Sequence, residues 1–136
     1  MKNYIAFFLI FPFVLNAQNL VKNPSFENHS ICPTDSEQLN GYVDGWNTYF
    51  STPDYLNQCG YYPWWVGDAT PRTGDGVVFA LWFNLVTHKQ RECLHGDLVQ
   101  PLSAGKTYYL EFYIYTLSHG VAIAQLQAHF TEEIID

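Results

Sequence analysis

The sequence predicts an all-β protein built as an antiparallel β-sandwich, and three observations carry that reading. Two long segments alternate with period two, no window holds an apolar helical repeat over three turns, and 18% of the residues are aromatic, including 4 Trp and 10 Tyr. Strands are expected at residues 20–21, at 45–49, at 77–83, within 94–102, at 107–116 and at 122–130, about six in all. The stretch 23–75 between the first and third of these is crowded with Pro, Gly, Asn, Asp, Ser and Thr, so it reads as loop-rich.

Each strand has its own justification. Residues 77–83 (VVFALWF) are β-branched and aromatic and apolar on both faces, the pattern of a central strand covered on two sides. Residues 94–102 precede the turn residues Ser103, Ala104 and Gly105. In 107–116 (TYYLEFYIYT), Tyr108, Leu110, Phe112 and Ile114 share one face, and Thr107, Tyr109, Glu111, Tyr113 and Tyr115 the other. In 122–130, Ala122, Ala124, Leu126, Ala128 and Phe130 alternate with Ile123, Gln125, Gln127 and His129. Trp46 and Trp82 are expected in the core. Six strands leave open edges and apolar surface where a sandwich of this kind uses about eight. The expectation is therefore an N-terminal portion of a longer polypeptide, or a truncated copy.

Residues 1–17 read as a signal peptide. Lys2 gives a positive start, residues 5–15 (IAFFLIFPFVL) form an apolar run, and Ala17 supplies a small residue before a cut. The run is too short to span a bilayer and contains Pro12, and no membrane span is expected in the mature chain. Its removal leaves residues 18–136 as one domain, exported to the periplasm, the outer-membrane surface or the extracellular space. Without Lys2 the mature chain carries 5 basic against 13 acidic residues, a formal charge of −8. That excludes nucleic acid as a partner, because such affinity rests on cationic side chains that displace counterions.

Export places Cys32, Cys59 and Cys93 where disulfides persist, and an odd number leaves one thiol over. Cys32 (ICPTD) and Cys59 (NQCGYYP) lie in loop sequence, so they are the expected pair. They close a loop of 26 intervening residues, worth about 3–4 kcal/mol by chain-entropy arithmetic. Cys93, beside a strand-like segment, is expected to be buried.

Five segments in order, 19–27 (NLVKNPSFE), 41–46 (GYVDGW), 52–59 (TPDYLNQC), 71–80 (PRTGDGVVFA) and 98–113 (LVQPLSAGKTYYLEFY), carry a family resemblance. The chain resembles jelly-roll domains of the galactose-binding-like, carbohydrate-binding-module type. More narrowly, it is similar to the N-terminal domains of exported envelope proteins from gliding-type Gram-negative bacteria, some of which continue into an OmpA-like domain. The closing strands of the jelly roll are missing. The resemblance implies a structural calcium ion near the first strand, with Glu27 and Asp75 as its acids. In a second reading, Glu27 is a turn or surface acid.

The residues most suited to ligand contact are Tyr61, Tyr62, Trp64 and Trp65, in the loop after Cys59, with Asp54 and Asn57 close in sequence. Aromatic faces stack on the C–H faces of sugar rings, and Asp and Asn fix hydroxyls by directional hydrogen bonds. The alternative is that the aromatics cap the open end of the sandwich. Catalytic constellations are weaker. His88, Cys93 and His95 lack a zinc-site spacing, and Ser118-His119-Gly120 lacks a nucleophile elbow and an orienting acid. Glu27, Glu92 and Glu111 are expected as solvated acids rather than a glycosidase pair.

The expected function is thus a non-catalytic exported module that binds saccharide or a cell-surface glycan. It would form the N-terminal part of a larger envelope protein, whose missing C-terminal segment would be a further partner. The alternatives are a structural or adhesion domain without a small ligand, and, behind it, a hydrolase. The intact mass of the native product should match residues 18–136 and rise by two protons on reduction. A much larger mass would place this chain at the front of a multidomain protein.

Overall fold

Asn23-Pro24-Ser25-Phe26-Glu27 is a turn sequence, and its backbone takes the conformations such a sequence allows. The Phe26 N–H donates to the Asn23 carbonyl at 3.1 Å, and both Asn23 (φ 49°) and Phe26 (φ 62°) lie in the left-handed region. The computed structural model describes residues 18–67, 69–81, 91–117 and 126–132. Within them the protein is β-rich, with short antiparallel strands and no helix beyond a single 3-10 turn.

Strand β1 (Trp46–Asn47), strand β2 (Asp54–Asn57), strand β3 (Gly76–Phe79) and strand β4 (His95–Gly96) follow in chain order, with a 3-10 turn at Trp64–Val66. They form two antiparallel pairs. β1 pairs with β4, placing Trp46 opposite Gly96 and Asn47 opposite His95. β2 pairs with β3, with Asp54 opposite Phe79, Tyr55 opposite Val78, Leu56 opposite Val77 and Asn57 opposite Gly76. Two isolated bridges, Val21 with Leu98 and His29 with Val43, tie the first segment to the residues just after β4 and just before β1.

The core forms around Leu39, Val43 and Tyr55, with Phe26, Tyr42, Trp46, Val78 and Leu94 packed against them. Trp46 is a core residue as expected. Its ring sits 4.6 Å from that of Phe26, and its indole N–H donates to the Asn23 carbonyl at 2.9 Å. Burying an indole N–H with a partner avoids the cost of an unsatisfied donor.

Strand β2 corrects the loop reading of residues 54–57. All four residues are buried, and their polar groups have internal partners. Tyr55 Oη donates to the Phe26 carbonyl at 3.0 Å, Asn57 Nδ2 donates to Tyr55 Oη at 2.8 Å, and Asp54 Oδ1 accepts the Glu37 N–H at 2.6 Å. Because both faces are covered, no period-two pattern marks the strand. Its flanking Asp and Asn look like turn signals until their partners are seen.

Residues 107–116 differ in the opposite sense. The segment pairs with no strand among the described residues. Both of its alternating sets stay in solvent, from Tyr108 at 41% exposure to Tyr109 at 87%. Period-two apolarity makes a segment able to pair, but a ladder needs a neighbouring edge. Local contacts hold it instead. The Ser103 N–H donates to Tyr108 Oη at 2.8 Å, and the Arg72 guanidinium lies 3.7 Å from the centroid of the Tyr113 ring.

Three further expectations change. Cys93 is exposed, not buried. Its N–H donates to Ser51 Oγ at 3.0 Å, so the backbone is anchored while the side chain faces out. Glu92 is buried at 6% exposure rather than solvated, and its carboxylate accepts the Leu81 N–H at 2.6 Å. Of 77–83, the described residues are 77–81, of which 77–79 are strand, within β3, and half-buried rather than covered on two sides. The expected signal peptide at 1–17, Trp82, His88, Ser118, His119 and the first part of 122–130 lie outside the described residues.

The Asn23 side chain holds the first turn to the rest. Its Nδ2 donates to the Asn28 and Asp44 carbonyls, both at 2.9 Å, and its Oδ1 accepts the Asn28 N–H at 3.0 Å. Asn23→Ala is expected to lower stability by about 2–3 kcal/mol, at roughly 1 kcal/mol for each hydrogen bond lost. Urea denaturation followed by tryptophan fluorescence checks this. A change within error of zero would remove Asn23 from the fold's supports.

Candidate functional site

The loop after β2 is built from its anchors outward. Cys59 is disulfide-bonded to Cys32, with their Cα atoms 5.7 Å apart, as the loop sequences suggest. The bridge favours an oxidising, extracytoplasmic environment. Beyond it the Tyr61 N–H donates to the Pro33 carbonyl at 2.6 Å. Pro63, in extended conformation, leads into the Trp64–Val66 turn, as a residue without an N–H and with fixed φ is suited to do. The Val66 N–H closes that turn on the Pro63 carbonyl at 3.1 Å, and the Gly67 N–H closes on the Trp64 carbonyl at 3.1 Å.

Side chains then fix the loop's orientation. Val66 is buried. The Trp65 ring meets Phe79 of β3 edge-on at 4.9 Å, a favoured aromatic geometry. Tyr62 Oη donates to the Ala69 carbonyl, and burial pushes its phenol pKa up. Trp64 alone among these residues projects into solvent, at 91% exposure. The result is one bare indole on a turn whose neighbours are packed.

Asp54 and Asn57 are not part of that surface. Both lie in β2, at 9% and 1% exposure, and their side chains serve the internal bonds described above. Asn57 supports the loop from beneath, since its Oδ1 accepts the Cys59 N–H at 2.8 Å. Sequence proximity placed them beside the aromatics, but the buried strand turns their polar groups inward.

Glu27 and Asp75 do come together, through the backbone. Glu27 Oε1 accepts the Asp75 N–H at 3.0 Å and the Gly76 N–H at 2.8 Å, and Oε2 approaches the Asp75 N–H at 3.1 Å. A Cβ at residue 76 would lie 2.6 Å from the Phe26 carbonyl oxygen, so glycine is required for this approach. Calcium takes six to eight oxygens. Glu27 turns its carboxylate to the Asp75 and Gly76 amides, and Asp75 meets it through its backbone N–H rather than its side chain.

An open depression of about 700 Å³ lies beside Glu27, lined also by Lys22, Asn28, His29, Ser30, Asp44 and Asp97 among others. None of residues 61–65 lines it. Lys22 bridges to Asp44 at 3.0 Å across it, and that hydrogen bond raises the Lys22 pKa. The depression opens widely to solvent, and its Lys22 is paired with Asp44. Among the acids raised as catalytic candidates, Glu27 bonds the 75–76 backbone, Glu92 bonds Leu81, and Glu111 accepts from Tyr113 Oη. They have separate partners.

One grouping escaped the sequence reading. His29, Cys32 and Cys59 place one ligand atom each within 4.8 Å of the others. The signal available was the i, i+3 spacing of His29 and Cys32 beside the expected bridge. Comparison with protein-family models, curated proteins and solved structures found no match to the chain. No described helix is long and apolar enough to cross a membrane.

Burial raises the Asp54 pKa above the usual 3.8, the nearby Glu37 and Asp35 charges add to the rise, and the Glu37 N–H opposes it. Folded Asp54 therefore holds its proton more tightly than unfolded Asp54. Its contribution to stability is complete below 3.8 and is lost as pH rises through the raised value. Asp54→Asn keeps an acceptor for Glu37 but cannot ionise. It should gain stability relative to the wild type as pH rises from acid to neutral, and denaturation midpoints across that range test this. A gap independent of pH would overturn it.

Proposed function

We propose that this chain is an exported, non-catalytic binding module that holds a saccharide or cell-surface glycan against Trp64. The jelly-roll kinship and the envelope setting belong to the same reading and rest on the motif order, the signal-like first 17 residues and the disulfide. The single observation that carries it is the 91% exposure of Trp64 on a turn locked by Trp65, Val66 and Tyr62. An aromatic face held rigid in water loses little entropy when a ring stacks on it.

Magnitudes set the expected strength. An indole that gives up about 150 Å² of water contact gains roughly 4 kcal/mol at ~25 cal/mol per Å². Association entropy consumes much of such a gain. One stacking residue with rim hydrogen bonds therefore supports binding of about millimolar strength. Tyr61 and Trp65, both half-buried, extend the apolar rim.

A structural or adhesion role is the second reading, favoured by the exposed aromatic segment 107–116. Its Tyr109, Phe112, Tyr113 and Tyr115 are all more than half exposed, a surface suited to another part of the envelope or of the same polypeptide. The two readings separate in one experiment. Titration of the mature protein with a panel of soluble glycans should show saturable binding that Trp64→Ala weakens at least about tenfold, with unchanged stability. Failure of every glycan to bind, or equal binding by the variant, would leave the adhesion reading standing.

A further inference from the structure

Two backbone segments cross where the Cys32–Cys59 bridge lies, and His29 stands over the crossing. His29 Nε2 is 3.9 Å from Cys32 Sγ and 3.6 Å from Cys59 Sγ. On the other side of the ring, Nδ1 lies 2.8 Å from the Glu27 carbonyl oxygen. A carbonyl can only accept, so the hydrogen sits on Nδ1. In the neutral ring Nε2 then keeps a bare lone pair directed at both sulfurs. Metal-binding imidazoles are oriented in this way, with the far nitrogen donated to a carbonyl or carboxylate.

We propose that reduction of the Cys32–Cys59 disulfide opens a site for a thiophilic divalent cation of the Zn²⁺ type, held by His29 Nε2 and the two thiolates. The distances already favour it. With Zn–N of about 2.0 Å and Zn–S of about 2.3 Å, tetrahedral geometry sets neighbouring N and S atoms about 3.5 Å apart. Both N···S distances are close to that value. Only the two sulfurs must separate, to about 3.8 Å, which side-chain rotation supplies. His29 and Cys59 are exposed, so an ion has a path in and water can take the fourth position.

The crossing does not depend on the disulfide alone. On one side the Ser30 N–H donates to the Tyr42 carbonyl at 2.9 Å, and the Tyr61 N–H reaches across to the Pro33 carbonyl at 2.6 Å. On the other, the Gly60 N–H donates to the Asn57 carbonyl at 2.9 Å, and the Cys59 N–H donates to Asn57 Oδ1 at 2.8 Å. A Cβ at residue 60 would clash with the Pro33 carbonyl oxygen, so the two segments meet at a contact only glycine permits. These contacts hold both cysteines near His29 after the S–S bond is cut.

The chemistry balances with a dithiol as reductant. The dithiol gives two electrons and two protons, becoming a disulfide, and Cys32 and Cys59 become thiols. Each thiol then loses its proton as it binds the ion, so two protons are released and the metal keeps its oxidation state. Disulfide and metal are alternative occupants of one place. The proposal is independent of the glycan reading.

The test uses the mature protein carrying Cys93→Ser, so that the third thiol takes no part. It is reduced with a phosphine, kept anaerobic and titrated with Co²⁺, then with Zn²⁺ in competition. One equivalent of Co²⁺ should bind with thiolate-to-cobalt charge-transfer absorption and near-ultraviolet circular dichroism of a folded chain. The oxidised protein should show no such absorption, and His29→Ala should weaken binding at least about tenfold. Absence of binding, equal binding by His29→Ala, or binding only to a chain without the folded dichroism would each overturn the proposal.

Discussion

The buried amide of Asn23 is the constraint on which the described fold turns. Its two N–H bonds and one accepted bond join the first turn to Asn28 and to Asp44, while its backbone carbonyl receives the Trp46 indole. An amide can fill both roles at once because it carries donors and an acceptor on one planar group, which neither aspartate nor leucine does. The turn it stabilises presents Phe26 and Glu27 to β2 and β3. Phe26 gives its ring to Trp46 and its carbonyl to Tyr55, and Glu27 gives its carboxylate to the amides that begin β3. A short polar motif therefore does the organising that a long strand does in a larger protein.

This explains which parts of the molecule the sequence discloses. Runs of β-branched and aromatic residues announce the ability to form strand, and β3 lies in such a run, while β4 falls within the short strand expected at 94–102. The disulfide was legible because two cysteines sat in turn-rich sequence. β2 was not legible, since Asp54 and Asn57 signal a turn by composition and are strand residues only because Glu37, Tyr55 and Cys59 supply their partners. Partners distant in sequence cannot be read from a window of ten residues. The same limit hid the inward direction of the Asp54 and Asn57 side chains and the position of His29 over the bridge. Exposure is harder still, because hydropathy treated Trp64 and Trp65 alike. Packing against Phe79 separates them.

Polar groups inside this small core are consistently satisfied, and no buried side-chain nitrogen or oxygen among the described residues lacks a partner. Where the core cluster among the described residues has three central apolar members, this matters more than in a large one. A lost bond costs about 1–3 kcal/mol when it leaves a buried group unpaired, a sizeable share of the stability of an ordinary domain. The hydrogen bonds also specify geometry that apolar contact leaves free, such as the registration of the first turn over β2. Specificity in this fold comes from amides, carboxylates and a phenol at least as much as from hydrocarbon.

The bridge between Val21 and Leu98, reinforced by the Lys22 N–H on the Asp97 carbonyl at 2.8 Å, has a consequence for timing. A ribosome adding roughly 5–20 residues per second releases Val21 about 4–15 s before Leu98 exists. Throughout that interval Val21 has no bridge partner, although Asn23 and His29 meet Asp44 and Val43 much sooner, and closing so long a loop is slow even once both ends are present. The edge at residues 20–22 therefore closes after the Asn23 turn has met Asp44, so the two ends of one short segment join the folded body at different times.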